Sequence, residues 1–306
     1  MREIHARTAV LPVLMAVLLV LISSCVTKAT LEDISPTAPN CYSCTYDGVK
    51  HDFIVDLPEK PEGSPLVIML PGSGGTAESF RLDTQFHETA CPAGYTVVYV
   101  TGAQDPKDSK SAVAWNYDGK KDGNNDTGFL KALAHFVHNE FLTDSNRCYV
   151  AGFSNGAFMC HRLALEASDT FSAVIAVAGT MSADTWEHRH EGCTVSLFQI
   201  AGEMDNVIPR QENGNTQHSL FPAVEKVINH YTVANGLNAV DVDKIGKGST
   251  LTKYTGTSDG NQVWFLLVNE GRHSWSAENV TGISTNKLVL EFLESIKTET
   301  HPGTTL

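Results

Sequence analysis

The chain has 306 residues, 42% of them hydrophobic, which is enough material for one large domain with a well-buried core. Its formal net charge of −13 at pH 7 argues against nucleic acid and against an anionic membrane surface as binding partners. The charge by itself indicates no substrate.

Residues 1–25 have the pattern of a bacterial export signal. Two arginines precede an apolar run over residues 9–22, which is too short for a comfortable membrane span and suits the core of a signal peptide. The run ends in Ile22-Ser-Ser-Cys25, which looks like a lipobox. We therefore expect Cys25 to be acylated in a cell-envelope lipoprotein facing the periplasm or the cell surface, with the lipid as its only membrane contact. Cleavage without lipidation, which gives a secreted protein, and an uncleaved anchor are the alternatives.

The remaining cysteines permit disulfides, because an exported protein meets an oxidising compartment. Their even number allows up to three bridges, and the sequence does not determine the pairing. These cysteines are Cys41, Cys44, Cys91, Cys148, Cys160 and Cys193. For Cys160, which lies inside a predicted helix, a buried free thiol is the alternative.

Between the lipobox and the first strands, residues 26–43 are rich in Thr, Ser, Pro and Asp and lack any apolar period. This composition predicts a flexible tether, followed by a catalytic domain over residues 44–298 and a frayed tail over residues 299–306. The domain is expected to open with a hairpin, because Asp47-Gly48 separates two strand-like runs.

From residue 65 onward, strand-like and helix-like runs alternate. Short apolar runs bounded by turn residues indicate strands that are buried on both faces. The pattern predicts an α/β fold in a single domain, with a mostly parallel central sheet and helices on both faces. Predicted strands cover residues 65–70, 95–101, 148–151, 171–180, 193–201, 251–255 and 262–268, and predicted helices cover residues 77–89, 129–142, 157–167, 221–234 and 288–296.

Two segments of irregular composition follow predicted strands. Pro71-Gly-Ser-Gly-Gly75 is a glycine-rich turn that would bring backbone N–H groups to a cleft, and the absence of a following Lys-Ser/Thr argues against a phosphate-binding Walker A loop. Residues 102–127 form a polar segment whose length indicates a functional loop. Neither its aspartates nor the histidine pairs elsewhere have the spacing of a metal site, so we expect no metal and no cofactor.

The sequence Gly152-Phe-Ser-Asn-Gly156 lies between a strand-like run and a helix-like run. This is the context of a nucleophile elbow, in which a serine stands on a strained strand-to-helix bend with its hydroxyl facing a cleft. The turn is too tight for side chains on its flanks, which explains the two glycines. A plain turn with an incidental serine is the alternative. We predict that Ser154 is a nucleophile.

A serine hydroxyl is a poor nucleophile at neutral pH, and it needs a base that a carboxylate holds in the correct tautomer. In an α/β-hydrolase the acid and then the histidine follow the serine along the chain, each beyond the end of a strand. Asp205 and His273 occupy such positions, so we predict the triad Ser154, Asp205 and His273. Glu203 is the rival acid. The rival bases are His218 and His230, which lie in a loop and on a predicted helix rather than at a strand end.

An oxyanion hole requires two N–H donors that point at the developing charge. We expect one from the backbone of Asn155, directly after the nucleophile, and the other from the backbone of Ser73 in the glycine-rich turn. Pro71 has no N–H and cannot donate.

Five motifs occur in the order of a known family: residues 70–75 (LPGSGG), 126–130 (DTGFL), 152–159 (GFSNGAFM), 202–209 (GEMDNVIP) and 273–275 (HSW). Over roughly residues 49–296 the chain resembles the polyhydroxybutyrate depolymerase and feruloyl esterase group, carbohydrate esterase family one of the α/β-hydrolase superfamily. The resemblance implies a secreted carboxylic-ester hydrolase with the same triad and no cofactor. Pro71 stands where the family commonly has histidine, a change that a backbone donor would survive.

We therefore expect an exported serine esterase that releases feruloyl or acetyl groups from plant cell-wall xylan through an acyl-enzyme, with an ester-substituted polysaccharide or oligosaccharide as its partner. An aromatic acyl group would need apolar walls, for which Trp115 and Trp275 are candidates, and core packing is the alternative for each. Hydrolysis of polyhydroxybutyrate oligomers is the second possibility. A non-catalytic surface lipoprotein on a hydrolase fold is the alternative of another class. The acyl group and the oligomeric state stay open at this point.

Overall fold

The computed structural model describes residues 30–296, with the exception of residues 106, 109, 191, 193, 209, 211–220 and 257–259. The strands in this part of the chain are β1 (Glu32–Ala38), β2 (Cys41–Tyr46), β3 (Val49–Asp56), β4 (Leu66–Leu70), β5 (Thr96–Val100), β6 (Cys148–Phe153), β7 (Ala173–Val177), β8 (Ser196–Gly202), β9 (Ala239–Ile245), β10 (Ser249–Thr255) and β11 (Val263–Val268). The helices are α1 (Ala77–Thr84), α2 (Phe86–Ala90), α3 (Asp126–Phe141), α4 (Asn155–Glu166), α5 (Ala183–Glu187), α6 (Val224–Ala234), α7 (Glu278–Thr281) and α8 (Thr285–Ser295).

These strands form one mixed sheet in the order β1-β2-β3-β5-β4-β6-β7-β8-β11-β10-β9. Its centre, from β5 to β11, is parallel as predicted, and crossover helices connect most of the neighbouring strands. The flanks are antiparallel, so the prediction of a mostly parallel sheet holds only for the centre. Where antiparallel neighbours follow each other in the chain, the physical reason is a short turn, such as the predicted Asp47-Gly48 turn between β2 and β3, which can join only antiparallel strands.

The sheet separates two hydrophobic cores. Side chains alternate along a strand, so Leu66, Ile68 and Leu70 of β4 enter one core while Val67 and Met69 enter the other. Helices α3, α4 and α6 cover the first face, and α1, α2 and α8 cover the second. Burial on both faces explains why the central strands appear in the sequence as short, continuous apolar runs.

The segment expected to be a tether, residues 26–43, is corrected in its second half. Residues 32–38 form strand β1, and β2 begins at Cys41. All seven residues of β1 are exposed, so this edge strand lacks the apolar alternation that would have predicted it. Strand β9 was not predicted either, and only its last residue is partly buried. Cys25, with the proposed lipobox, and residues 299–306 lie outside the described residues.

The expected disulfides do not form among the described cysteines: Cys41, Cys44, Cys91, Cys148 and Cys160 are all free. Three of them, Cys44, Cys148 and Cys160, are packed in the first core as small apolar residues, which was the alternative for Cys160. Cys193 lies outside the described residues. Among the helices described, none is long and apolar enough to span a membrane.

Candidate active site

Ser154 lies at the bend between β6 and α4, at the carboxyl end of the parallel centre. Its φ of 52° and ψ of −115° are strained for a residue with a side chain. The flanking glycines make the bend possible, because a Cβ on Gly152 would lie 2.2 Å from the carbonyl oxygen of Gly156. A Cβ on Gly156 would likewise lie 2.2 Å from the carbonyl oxygen of Leu70. The structure thus has the predicted strand–turn–helix geometry of a nucleophile elbow.

His273 and Asp205 approach Ser154 from the neighbouring strand ends. The His273 Nε2 atom lies 2.9 Å from Ser154 Oγ, and its Nδ1 atom lies 2.9 Å from Asp205 Oδ2. Asp205 follows β8 and His273 follows β11, and these two strands are parallel neighbours. With Nδ1–H donated to the carboxylate, the imidazole has a lone pair at Nε2 that can accept the serine proton.

The Asp205 carboxylate is fixed from its other side as well. Its Oδ1 atom accepts hydrogen bonds from the backbone N–H groups of Val207 and Ile208, at 2.8 and 2.9 Å. The residue is 8% exposed, whereas the rival acid Glu203 is exposed to solvent. The rival base His230 packs its ring against Trp186, and His218 lies outside the described residues. Among the described candidates, only the predicted acid and base contact each other.

The turn and the helix start that carry the two expected oxyanion donors lie beside Ser154. Gly72 in the glycine-rich turn is so close that a Cβ on it would lie 3.3 Å from Ser154 Cβ. Neither the N–H of Ser73 nor that of Asn155 donates a hydrogen bond to another described residue. Both groups are therefore available to a bound oxyanion, and their assignment stays a prediction.

Hydrogen bonds on the opposite side of each peptide set the direction of these donors. The Gly72 carbonyl, in the same peptide as the Ser73 N–H, accepts from Gly75 N–H at 3.0 Å. The Ser154 carbonyl, in the same peptide as the Asn155 N–H, accepts from Ala157 N–H at 2.9 Å. Because N–H and C=O of a trans peptide point in opposite directions, both donor N–H groups face away from the elements that hold them.

Trp115 is not the exposed wall that the sequence suggested. It is 4% exposed, and its indole N–H donates to the Pro71 carbonyl at 3.1 Å. The alternative of core packing is therefore correct for this residue. Trp275 is half-buried, packs edge-on against Phe80 at 5.7 Å and donates its indole N–H to Asn286. Its role in substrate binding stays a prediction.

Aromatic side chains that were not predicted as site residues surround the elbow. The Phe153 ring lies 5.0 Å from the His273 ring. Phe158, one turn after Ser154 on α4, packs against Tyr117 and Phe221, and its ring centroid lies 4.9 and 4.8 Å from theirs. The signal for two of them was present in the elbow motif itself, G-F-S-N-G-A-F, but a phenylalanine there is equally compatible with core packing.

The long polar segment after β5 is held down by Asp126, the first residue of α3. Its Oδ2 atom accepts the Asn116 N–H at 2.6 Å, and its Oδ1 atom is buried without a partner among the described residues. Burial raises the pKa of Asp126 to about 6, against smaller lowering effects of the Asn116 N–H and the Arg162 charge. No cluster of three or more His, Cys, Asp or Glu side chains that could hold a metal ion occurs in the part of the chain that the structure describes.

Residues 80–295 match the model of the Prolyl oligopeptidase family. The chain is 32% identical over 152 residues to a protein that carries the name esterase NocK, from Nocardia uniformis subsp. tsuyamanensis, with 50% of this chain and 43% of that protein covered. It is 27% identical over 126 residues to feruloyl esterase B of Talaromyces funiculosus, with 40% of this chain and 35% of that protein covered. The chain thus spans less than half the length of these curated relatives. The names of these relatives confirm the resemblance to an esterase family that the motifs indicated.

Among solved structures, an acetyl xylan esterase from Aspergillus awamori superposes with a TM-score of 0.58 at 14% identity, covering 80% of this chain and 94% of that one. At this identity the likeness concerns the fold, and it confirms the predicted α/β-hydrolase-type fold.

Proposed function

The chain belongs to the prolyl oligopeptidase family, and from this premise we propose that it is a carboxylic-ester hydrolase with Ser154 as its nucleophile. One observation carries the proposal: the His273 imidazole lies 2.9 Å from both Ser154 Oγ and the Asp205 carboxylate. Three residues far apart in sequence thus form one hydrogen-bonded chain, and this is the arrangement that serine hydrolases use to activate a hydroxyl.

The reaction follows from the positions of these groups. The Ser154 oxygen attacks the ester carbonyl while His273 Nε2 takes its proton, and the Asp205 carboxylate stabilises the resulting imidazolium. The imidazolium then protonates the departing alcohol, which leaves an acyl group on the serine. Water, deprotonated by the same imidazole, attacks the acyl-enzyme, releases the acid and restores the hydroxyl.

We assign the stabilisation of the negative charge on the tetrahedral intermediate to the backbone N–H groups of Ser73 and Asn155. Both are backbone donors, so neither depends on the side chain at its position. Asn155 is the first residue of α4, where the helix dipole adds a partial positive charge. A removed oxyanion donor typically costs on the order of 10²- to 10³-fold in kcat, which shows how much of the reaction such groups supply.

The favoured substrates are acetyl or feruloyl esters of xylan. Support comes from the names of the relatives, feruloyl esterase and acetyl xylan esterase, and from the half-buried aromatic rings of Phe153 and Trp275. We propose further that the described residues act as a single catalytic domain. Its export, with lipidation at Cys25, is inferred from the N-terminal sequence.

Peptide hydrolysis is the second candidate, because the family model that matches the chain is named for peptidases. A Ser–His–Asp triad cleaves amides by the same steps as esters, so the triad itself does not separate the two. Oligomers of hydroxybutyrate are a further ester substrate to be compared. A non-catalytic lipoprotein remains the alternative of another class.

The test uses purified wild type and Ser154→Ala with p-nitrophenyl acetate. We expect turnover by the wild type and a loss of at least about 10⁴-fold in the variant, because the nucleophile is removed. A panel of methyl ferulate, acetylated xylan, hydroxybutyrate trimer and a dipeptide p-nitroanilide then ranks the substrates. Equal rates for wild type and variant would exclude the serine mechanism, and preferential cleavage of the anilide would favour the peptidase.

A further inference from the structure

The segment after β5 contacts both halves of the oxyanion hole through one residue. The turn that contains Ser73 and the elbow that contains Asn155 come from distant parts of the chain. Trp115 donates its indole N–H to the Pro71 carbonyl at 3.1 Å and its backbone N–H to Asn155 Oδ1 at 2.7 Å. The Asn155 amide also donates back to the Trp115 carbonyl at 3.4 Å. Trp115 therefore links the two donors without lining the cleft.

A second set of backbone contacts ties the same segment to the turn. Gly74 N–H donates to the Val113 carbonyl at 2.7 Å. Ala114 forms a two-bond bridge with Ala103, just beyond the end of β5, at 2.9 and 3.2 Å. Residues 113–115 thus lie as a short extended piece against the glycine-rich turn, and their position is fixed with respect to the sheet.

The segment is also anchored from the helix side. Asn116 N–H donates to the buried Asp126 carboxylate at 2.6 Å, at the start of α3. The Asn116 carbonyl accepts a hydrogen bond from the Arg162 guanidinium on α4, the helix that begins at the elbow. Trp115 is therefore held between two helices, and its indole is 4% exposed. A side chain fixed in this way can transmit its position to the groups that it binds.

We propose that Trp115 is a positioning residue that fixes the spacing of the two oxyanion donors. It acts through the Pro71 carbonyl, which sets the orientation of the turn, and through the Asn155 side chain, which sets the start of α4. Stabilisation of an oxyanion depends on donors that are in place before the reaction, and a misplacement of about 1 Å costs on the order of 10²-fold in rate. The inference rests on the proposed function, because it assigns a role within that hydrolytic site.

The test is Trp115→Phe, which keeps most of the buried ring and removes the indole donor. We expect kcat for p-nitrophenyl acetate to fall about 10- to 100-fold while KM changes less than about twofold, because the lost contact serves the transition state. Affinity for a phenylboronic acid, whose serine adduct is tetrahedral, should fall in parallel with kcat.

A matched control is Trp264→Phe. Trp264 in β11 is 2% exposed and donates its indole N–H to Gln262 Oε1 at 2.9 Å, so the substitution removes an indole hydrogen bond away from the turn. We expect this variant to lose stability but to keep kcat and boronate affinity within about twofold of wild type. A similar loss of kcat in both variants would indicate a general loss of structure and would overturn the proposal.

A second variant keeps the proposal falsifiable if Trp115→Phe does not fold. Asn155→Ala removes the other link to Trp115 while leaving the Asn155 backbone N–H in place, and the same loss of kcat and boronate affinity is expected. Unchanged kcat in a folded variant would contradict the inference. The two levels of failure are distinguishable: an active wild type with an inactive Ser154→Ala upholds the proposed function even if Trp115 has no effect.

Discussion

Strand β6 at the centre of the sheet and strand β9 at its edge are similar in length but differ in their surroundings. Five of the six residues of β6 are buried, and the strand leads directly into Ser154. Six of the seven residues of β9 are exposed, and Val242 in its middle is 57% exposed. A strained residue such as Ser154 persists only where its neighbours determine its backbone, and the centre supplies such neighbours while the edge does not.

Burial also distinguishes the two carboxylates that follow β8. Asp205 is buried and bound on both oxygens, whereas Glu203, two residues earlier, points to solvent. Burial and hydrogen bonding, rather than the strand that a carboxylate follows, thus distinguish the side chain that contacts His273 from the one that does not. Substitutions at the centre should therefore have much larger effects than equivalent ones outside it.

The largest expected effect comes from Asp205→Asn. The amide can no longer hold His273 in the tautomer that accepts the serine proton, so we expect kcat for p-nitrophenyl acetate to fall by about 10⁴-fold. The matched control, Glu203→Gln, should stay within about twofold of wild type. A drop of similar size in the control would make Glu203 the acid and would contradict the observed hydrogen bonds.

A smaller effect is expected from glycine substitutions, measured as urea unfolding at pH 7. In Gly156→Ala the new Cβ would lie 2.2 Å from the Leu70 carbonyl oxygen, so we expect the free energy of unfolding to fall by about 3 kcal/mol. Gly48, in the hairpin at the flank, has a φ of +76° but no atom within 4 Å of a new Cβ. Gly48→Ala should therefore cost only the backbone strain, about 1 kcal/mol. Equal losses would remove the distinction between centre and flank.

An effect smaller than that of Gly156→Ala is a pH dependence of stability at Asp126. Burial raises its pKa to about 6, above its ordinary value of 3.8, so the folded state binds the proton more tightly than the unfolded state. Its contribution to stability is therefore present at low pH and is lost as the pH rises toward 6, by about 2 kcal/mol. In Asp126→Asn this loss is absent, and the amide oxygen can still accept the Asn116 N–H.

The measurement is the free energy of unfolding of both proteins between pH 4 and 7. Buried His51 and His161, whose pKa values are lowered to about 4, change stability in the opposite direction over this range. Only the difference in the free energy of unfolding between wild type and Asp126→Asn isolates the contribution of the aspartate. A difference that does not change with pH would show that Asp126 titrates normally.

The parts of the site that the sequence predicts are those with a local pattern. Gly152 and Gly156 mark the elbow because no other residue fits there, and the order of acid and base along the chain indicates Asp205 and His273. The buried central strands are predictable as well, because burial on both faces requires continuous apolar runs.

The parts that the sequence does not predict depend on contacts between distant segments. In the sequence, Trp115 is compatible with a role as a substrate-binding aromatic residue. Only the fold shows that its indole N–H donates a hydrogen bond to the carbonyl of Pro71, 44 residues earlier. Strand β1 is mostly polar and exposed along its whole length, so its sequence resembles a loop. The cysteine count was misleading for a related reason, since a buried thiol and a half-cystine look alike in a sequence.

The enclosed cysteines have a consequence for chemical labelling. Burial raises the pKa of Cys44, Cys91 and Cys148 to about 12, so at pH 8 only about one molecule in 10⁴ carries the reactive thiolate at each of these positions. Alkylating reagents and peroxide attack the thiolate. The folded protein should therefore leave these three sulfurs unmodified, and a maleimide attached to Cys44 or Cys148, which are both buried, would report that the chain around it has opened.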